Sequence, residues 1–188
     1  MGKNTQSQKT GSGDVLGHSV IKPSVTREFS SGGVVFKKEN NNVLWLVRKT
    51  TASELYPKQY WMLPKGRIDD TKDDMPGPMA SGKIKADTIS LERAALREVR
   101  EEGGVDVKIV KKIGTSIYSF IDPKVGKTVK FVTFYLMEYL KDLPEGHDWE
   151  TEEVIWLAFL DAKKQLSFGG EKEMLSKAQE LLNQAPVA

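Results

Sequence analysis

Residues 97–105 read Arg-Glu-Val-Arg-Glu-Glu-Gly-Gly-Val, and this run constrains the chain more than any other. As a helix, it sets Glu98 three residues from Glu101 and four from Glu102, so the three carboxylates share one side and can converge on one point. Gly103 and Gly104 then stop the helix, because glycine enters the left-handed backbone of a C-cap at little cost. Carboxylates near a helix C-terminus oppose its dipole and call for a compensating cation, which Arg97 and a metal would both supply. Hard oxygen donors gathered in this way suit Mg²⁺ or Mn²⁺, ions that bind and polarise phosphate oxygens. The plainer reading is an acidic helix end that faces water, as most charge runs do.

The rest of the chain supplies elements to carry such a helix. Leu91, Ala94, Ala95 and Val99 recur at helical spacing to face a core, and Asp87, Thr88 or Ser90 can cap the start. Upstream, residues 33–37 and 43–48 are short β-type runs separated by the polar turn Glu39-Asn40-Asn41-Asn42, which reads as a hairpin. Downstream, residues 105–113, 116–121, 130–139 and 154–159 are rich in β-branched and aromatic side chains and read as strands. Asp122-Pro123-Lys124-Val125-Gly126 looks like a hairpin loop, and residues 171–182 place Met174, Leu175, Ala178, Leu181 and Leu182 on one helical face. The order is that of a mixed α/β domain without internal repeats.

A length of 188 residues fits one domain with tails, and residues 1–26 read as a flexible polar leader to which no function attaches. The chain has no cysteine, so disulfides and thiolate metal sites are excluded and a cytoplasmic setting is the default expectation. No apolar run reaches about 18 residues and the N-terminus lacks a signal-peptide core, so no membrane association is expected. Gly2 is followed by Gln6 where a myristoylation motif needs serine or threonine, which rules that motif out. A formal charge of +2 is too balanced to point to stable nucleic-acid binding. His18 and His147 stand alone in polar segments and read as surface groups.

The 97–105 run resembles the second half of the signature of the Nudix hydrolases: glycine, any five, glutamate, any seven, then Arg-Glu-aliphatic-any-Glu-Glu-any-Gly-aliphatic. Arg97, Glu98, Val99, Glu101, Glu102, Gly104 and Val105 meet every specified position of that half. Trp61-Met62-Leu63-Pro64-Lys65-Gly66 resembles the strand and turn that deliver the motif's first glycine, and residues 31–36 resemble the opening strand. The likeness spans residues 28–183. The first signature glutamate is missing: position 89 is Ile89, and the stretch 69–87 reads as an inserted surface loop. Glu92, Asp69, Asp70 or Asp73 are the candidates to replace it.

The resemblance implies an α/β/α Nudix sandwich with a mixed sheet, spanning residues 27–184. It implies that Glu98, Glu101 and Glu102, with the carbonyl of Gly66, hold Mg²⁺ or Mn²⁺, and that Arg97 orients a motif glutamate. It also implies a further glutamate from a later loop as base or ligand, with Glu153 the first choice and Glu152 the second. Lys65 and Arg67 flank the turn and can reach substrate phosphates. Among the aromatics Tyr56, Tyr60, Trp61, Tyr118 and Tyr135, one or two can stack a nucleobase, though such residues are more often core. The implied reaction is water attack on a nucleoside diphosphate linked to another moiety. The Leu-Pro-Lys-Gly turn favours a dinucleoside polyphosphate such as diadenosine tetraphosphate. Diphosphoinositol phosphates, for which Lys124, Lys127 and Lys130 are the nearest basic group, ADP-ribose and the 5′-pyrophosphate of RNA stay open, as does a non-catalytic sensor of nucleotide or RNA.

Overall fold

The computed structural model describes Met1 and residues 25–184 apart from Leu55 and Asp74. Most of the leader, including His18, therefore lies outside the described residues. The chain opens with β1 (Thr26–Glu39) and β2 (Asn42–Thr50), which pair antiparallel from Glu39↔Asn42 inward. Asn40 and Asn41 turn the hairpin with φ of 49° and 64°, a left-handed pair that asparagine tolerates better than most residues. Two short strands follow, β3 (Trp61–Met62) and β4 (Lys65–Arg67). Next come the helix α1 (Thr88–Gly103) and the long hairpin of β5 (Val105–Asp122) and β6 (Gly126–Asp142). The strand β7 (Thr151–Ala158) and the helices α2 (Phe159–Gln165) and α3 (Gly169–Gln184) complete the described chain.

All seven strands form one mixed sheet ordered β3-β2-β1-β6-β5, with β4 on β1 and β7 on β2; β1 runs parallel to β6 and antiparallel to its other partners. Central position explains the apolar run Val34-Val35-Phe36, where both faces of β1 are buried. On one face Val35, Leu46 and Tyr135 pack with Ala95 and Val99 of α1. On the other, Val34, Trp45 and Phe134 pack with Leu166, Met174 and Leu175 of the α2–α3 segment. Helices on both sides of a sheet make the α/β/α sandwich that the resemblance implies.

Three details differ from the sequence reading. The two strands expected over 105–121 are a single strand, β5, which absorbs register shifts between Ile109 and Lys111 and between Lys112 and Gly114 rather than breaking. The seven-residue α2 was not anticipated, because too few residues display a period. The inserted loop is also pinned to the domain rather than standing off it. The Asp69 carboxylate accepts from the Ala80 and Met79 amides at 2.6 and 3.1 Å, Ala80 is fully buried, and its carbonyl accepts from Phe29 of β1 at 2.8 Å.

Candidate active site

The site starts where β4 meets α1. Pairing of Gly66 with Ser31 on β1 lays the 63–67 turn against the helix. The Glu98 carboxyl group lies over the α-carbon of Gly66, so a Cβ at that position would overlap all three carboxyl atoms. Only glycine permits this approach. Arg97 binds the same spot from outside: Nη2 is 2.7 Å from Glu98 Oε1 and donates to the Arg67 carbonyl at 2.7 Å, while Nη1 reaches Glu101 Oε2 at 3.2 Å. One planar guanidinium thus fixes two signature carboxylates and the backbone of the turn, a task suited to its rigid fork.

The two carboxylates differ in environment. Glu98 is buried, and loss of hydration raises its pKa to about 7; Arg97 pulls it down, while Glu101 and Glu150 push it up. Glu101 has a side chain 46% exposed and lines an open cleft of about 760 Å³. That cleft runs along the outer face of α1, between Arg93, Arg97 and Arg100 on the helix and His147 and Asp148 on the loop before β7. The loop is tied to the carbonyls that a helix end leaves open. Asp148 donates its amide to the Glu101 carbonyl at 2.7 Å, Leu143 its amide to Gly104 at 2.9 Å, and Thr151 its hydroxyl to Glu102 at 2.9 Å.

Several expected site residues lie elsewhere. Glu102 does not converge with its neighbours: it turns inward, pairs with Arg48 of β2 and accepts the Lys65 amide at 2.7 Å. The reason is its place on the buried side of α1, where Arg48 supplies the countercharge. Lys65 does not reach outward either, because its ammonium is buried 3.4 Å from Glu171 Oε1 of α3. Burial lowers its pKa to about 8, against the upward pull of Glu171. Tyr135 is 1% exposed beneath α1 and belongs to the core rather than to a base-binding surface. Arg67 remains partly exposed, with Nε 2.9 Å from Asp70 of the insertion.

Glu153 is exposed opposite Lys49 on β2, and Glu152 is drawn to the Lys49 ammonium at 2.7 Å. Their neighbour Glu150 is the acid of that stretch whose charge reaches Glu98. Of the candidates for the missing first glutamate, Asp69 caps backbone amides and Asp70 pairs with Arg67, while Ile89 itself is 65% exposed on the first turn of α1. Sequence reasoning missed Arg48, Glu150 and Glu171. A lone arginine closing the apolar run Val43 to Val47 was the one available signal, for Arg48.

A family model for the NUDIX domain matches residues 27–177. The chain belongs to the Nudix family. It is 28% identical over 124 residues to a Mycobacterium tuberculosis protein named as mutator protein MutT4, covering 65% of this chain and 42% of that one. It thus spans about two fifths of that relative's length. Among solved structures, a Caenorhabditis elegans Ap4A hydrolase in a binary complex superimposes with a TM-score of 0.58 at 19% identity, over 83% of this chain and 98% of that one. The NUDIX domain of Shewanella oneidensis NrtR, complexed with ADP ribose, superimposes with a TM-score of 0.53 at 17% identity, over 83% and 88% of the two chains. At these identities the likeness concerns the fold.

Nudix hydrolases generally depend on a divalent metal. Among the described residues no three histidine, cysteine or acidic side chains stand together in a ready metal cage. The donor chemistry at Glu98 nevertheless fits such an ion. It offers hard carboxylate oxygens at Glu98 and Glu101, in a spot where burial and neighbouring acids leave Glu98 short of positive charge. Of the signature's Nudix glutamates, Glu102 is the one turned away into a buried pair with Arg48, while Glu98 and Glu101 share the partly exposed Arg97.

Proposed function

We propose that this chain is a metal-dependent pyrophosphohydrolase that cleaves a dinucleoside polyphosphate, such as diadenosine tetraphosphate, by attack of water on phosphorus. The observation that carries the reading is the Arg97 bridge, which ties the buried Glu98 to Glu101, a residue of the cleft wall. Glu98 and Glu101 would hold Mg²⁺, with the Gly66 carbonyl as the backbone donor that the family resemblance supplies. When bound, the ion neutralises phosphate charge and lowers the pKa of water.

The chain's own groups do the rest. Arg97 keeps both carboxylates oriented, and the buried Arg48–Glu102 and Lys65–Glu171 pairs lock the 63–67 turn beneath them. Glu150, on the loop tied to the end of α1, takes the proton of the attacking water in place of Glu153. As the new phosphorus–oxygen bond forms, the anhydride bond on the opposite side breaks and the remaining nucleotide leaves. No covalent enzyme intermediate is needed. The volume of the cleft lies in the range that accommodates a nucleotide-sized ligand.

The Leu63-Pro64-Lys65-Gly66 turn, which resembles that of the dinucleoside polyphosphate branch of the family, supports a dinucleoside polyphosphate over other anhydrides. The test is a hydrolysis panel of diadenosine tetraphosphate, nucleoside triphosphates, ADP-ribose, a diphosphoinositol phosphate and 5′-triphosphate RNA, with and without Mg²⁺. Diadenosine tetraphosphate is expected to dominate by kcat/KM. A different leading substrate would overturn the specificity, and binding without turnover across the panel would overturn the enzyme reading in favour of a sensor.

A further inference from the structure

Trp149 is the most exposed aromatic side chain among the described residues, at 77% of its full accessibility. The other three tryptophans do ordinary packing work: Trp45 is fully buried, and Trp61 and Trp156 lie against the two cores. A single exposed apolar residue is common on a protein surface. What sets Trp149 apart is how its backbone is held and what stands on either side of it.

The tetrapeptide Asp148-Trp149-Glu150-Thr151 is a closed turn, with the Thr151 amide donating to the Asp148 carbonyl at 3.3 Å and the Glu150 amide to Asp148 Oδ1 at 3.0 Å. Before the indole, the Asp148 amide is bound to the Glu101 carbonyl. After it, the Glu150 carbonyl accepts from the Thr51 amide at 2.9 Å and from Arg48 Nη1 at 3.2 Å. The ring is therefore presented to solvent from a backbone anchored at both ends to the elements that carry the site. Asp148 lines the cleft beside Arg97 and Glu101, and the charge of Glu150 reaches Glu98. Successive α-carbons are about 3.8 Å apart, so the indole is rooted one residue from the cleft-lining Asp148. Across the cleft, Arg93 is exposed and has no hydrogen-bond or ionic partner among the described residues. An exposed indole that directly follows the cleft-lining Asp148, and an uncommitted guanidinium on the cleft itself, are complementary to a nucleobase joined to a phosphate chain.

We infer that Trp149 is the platform on which a purine base of the substrate stacks, making it the residue that discriminates nucleotides from bare polyphosphates. The inference rests on the proposed reaction for the identity of the substrate, but not for its test. The probes are a non-hydrolysable adenosine β,γ-methylene triphosphate and inorganic tripolyphosphate, each titrated with Mg²⁺ present into the wild type, Trp149→Phe and Trp149→Ala. Binding is followed by calorimetry and by indole fluorescence.

The nucleotide is expected to quench the wild-type fluorescence, and this quench is lost in Trp149→Phe. Trp149→Ala is expected to weaken nucleotide binding about tenfold or more, Trp149→Phe much less, and neither to change tripolyphosphate binding. Equal nucleotide affinity in wild type and Trp149→Ala would overturn the inference, as would parallel loss of both ligands or no binding of the nucleotide at all. Kinetics separate this claim from the reaction. On the substrate that the wild type hydrolyses, Trp149→Ala is expected to raise KM with little change in kcat. A wild type that binds nucleotide through Trp149 without hydrolysing anything would instead contradict the proposed function alone.

Discussion

Glu98 carries two opposed demands, burial against the bare α-carbon of Gly66 and a charge that Arg97 offsets only in part. Its pKa of about 7 lies above the ordinary 4.5, so between those values the folded chain holds a proton that the unfolded chain has released. In metal-free protein, stability should therefore fall as pH rises through that window, with the full cost present above pH 7. Urea unfolding in chelator across that range tests this. Glu98→Gln should lose the slope, whereas an unchanged slope in that variant would assign it to another group. Arg97, Glu98 and Glu101 were readable in the sequence because their positions are set by a local helical period. The inward turn of Glu102 was not, since its partner Arg48 lies 54 residues away on another element. Tyr135 and Lys65 were misplaced for the same reason: type and neighbours show what a side chain can do, and only packing shows which way it points.

At the level of elements, the site is a helix held to a turn by buried charges. Arg48 joins β2 to α1 through Glu102, and Lys65 joins β4 to α3 through Glu171, with all four side chains no more than 6% exposed. Such pairs add little net stability over apolar replacements, but removing one partner strands the other charge. Arg48→Met is accordingly expected to cost about 3–5 kcal/mol in chemical denaturation, and the double variant with Glu102→Gln to recover much of it. A double variant no more stable than Arg48→Met would show that the pair is not the source of the loss. The same level explains what could be read in advance. The β1–β2 hairpin has a polar turn between alternating runs, and α1 has its Asp87 cap, which accepts from the Ser90 amide at 2.7 Å. The continuity of β5 through its bulges has no comparable local signal, because β6 sets it from across the sheet.

For the molecule as a whole, the sandwich gives the two halves of the site different supports. The sheet, through β1, presents the Gly66 turn, while the loop ahead of β7 is bolted to the end of α1 and brings Asp148 to the cleft. The insertion enters the domain through Asp69 and Ala80 and meets the site at the Arg67–Asp70 pair, so it extends the turn without breaking the frame. Composition and element order sufficed for a mixed α/β chain and the family resemblance for a mixed sheet in an α/β/α sandwich, but the parallel pairing of β1 with β6 joins segments about a hundred residues apart and had no local signal. On the proposed function, Glu101, fixed by Arg97 on the cleft wall, belongs to a metal-dependent hydrolytic centre. The most direct test of this is the rate of diadenosine tetraphosphate hydrolysis as a function of Mg²⁺ concentration, in wild type and Glu101→Gln, each carried to saturation. The wild-type rate is expected to vanish without metal and the variant to be at least about a hundredfold slower at saturating Mg²⁺. A Glu101→Gln rate equal to that of the wild type at saturation would contradict it.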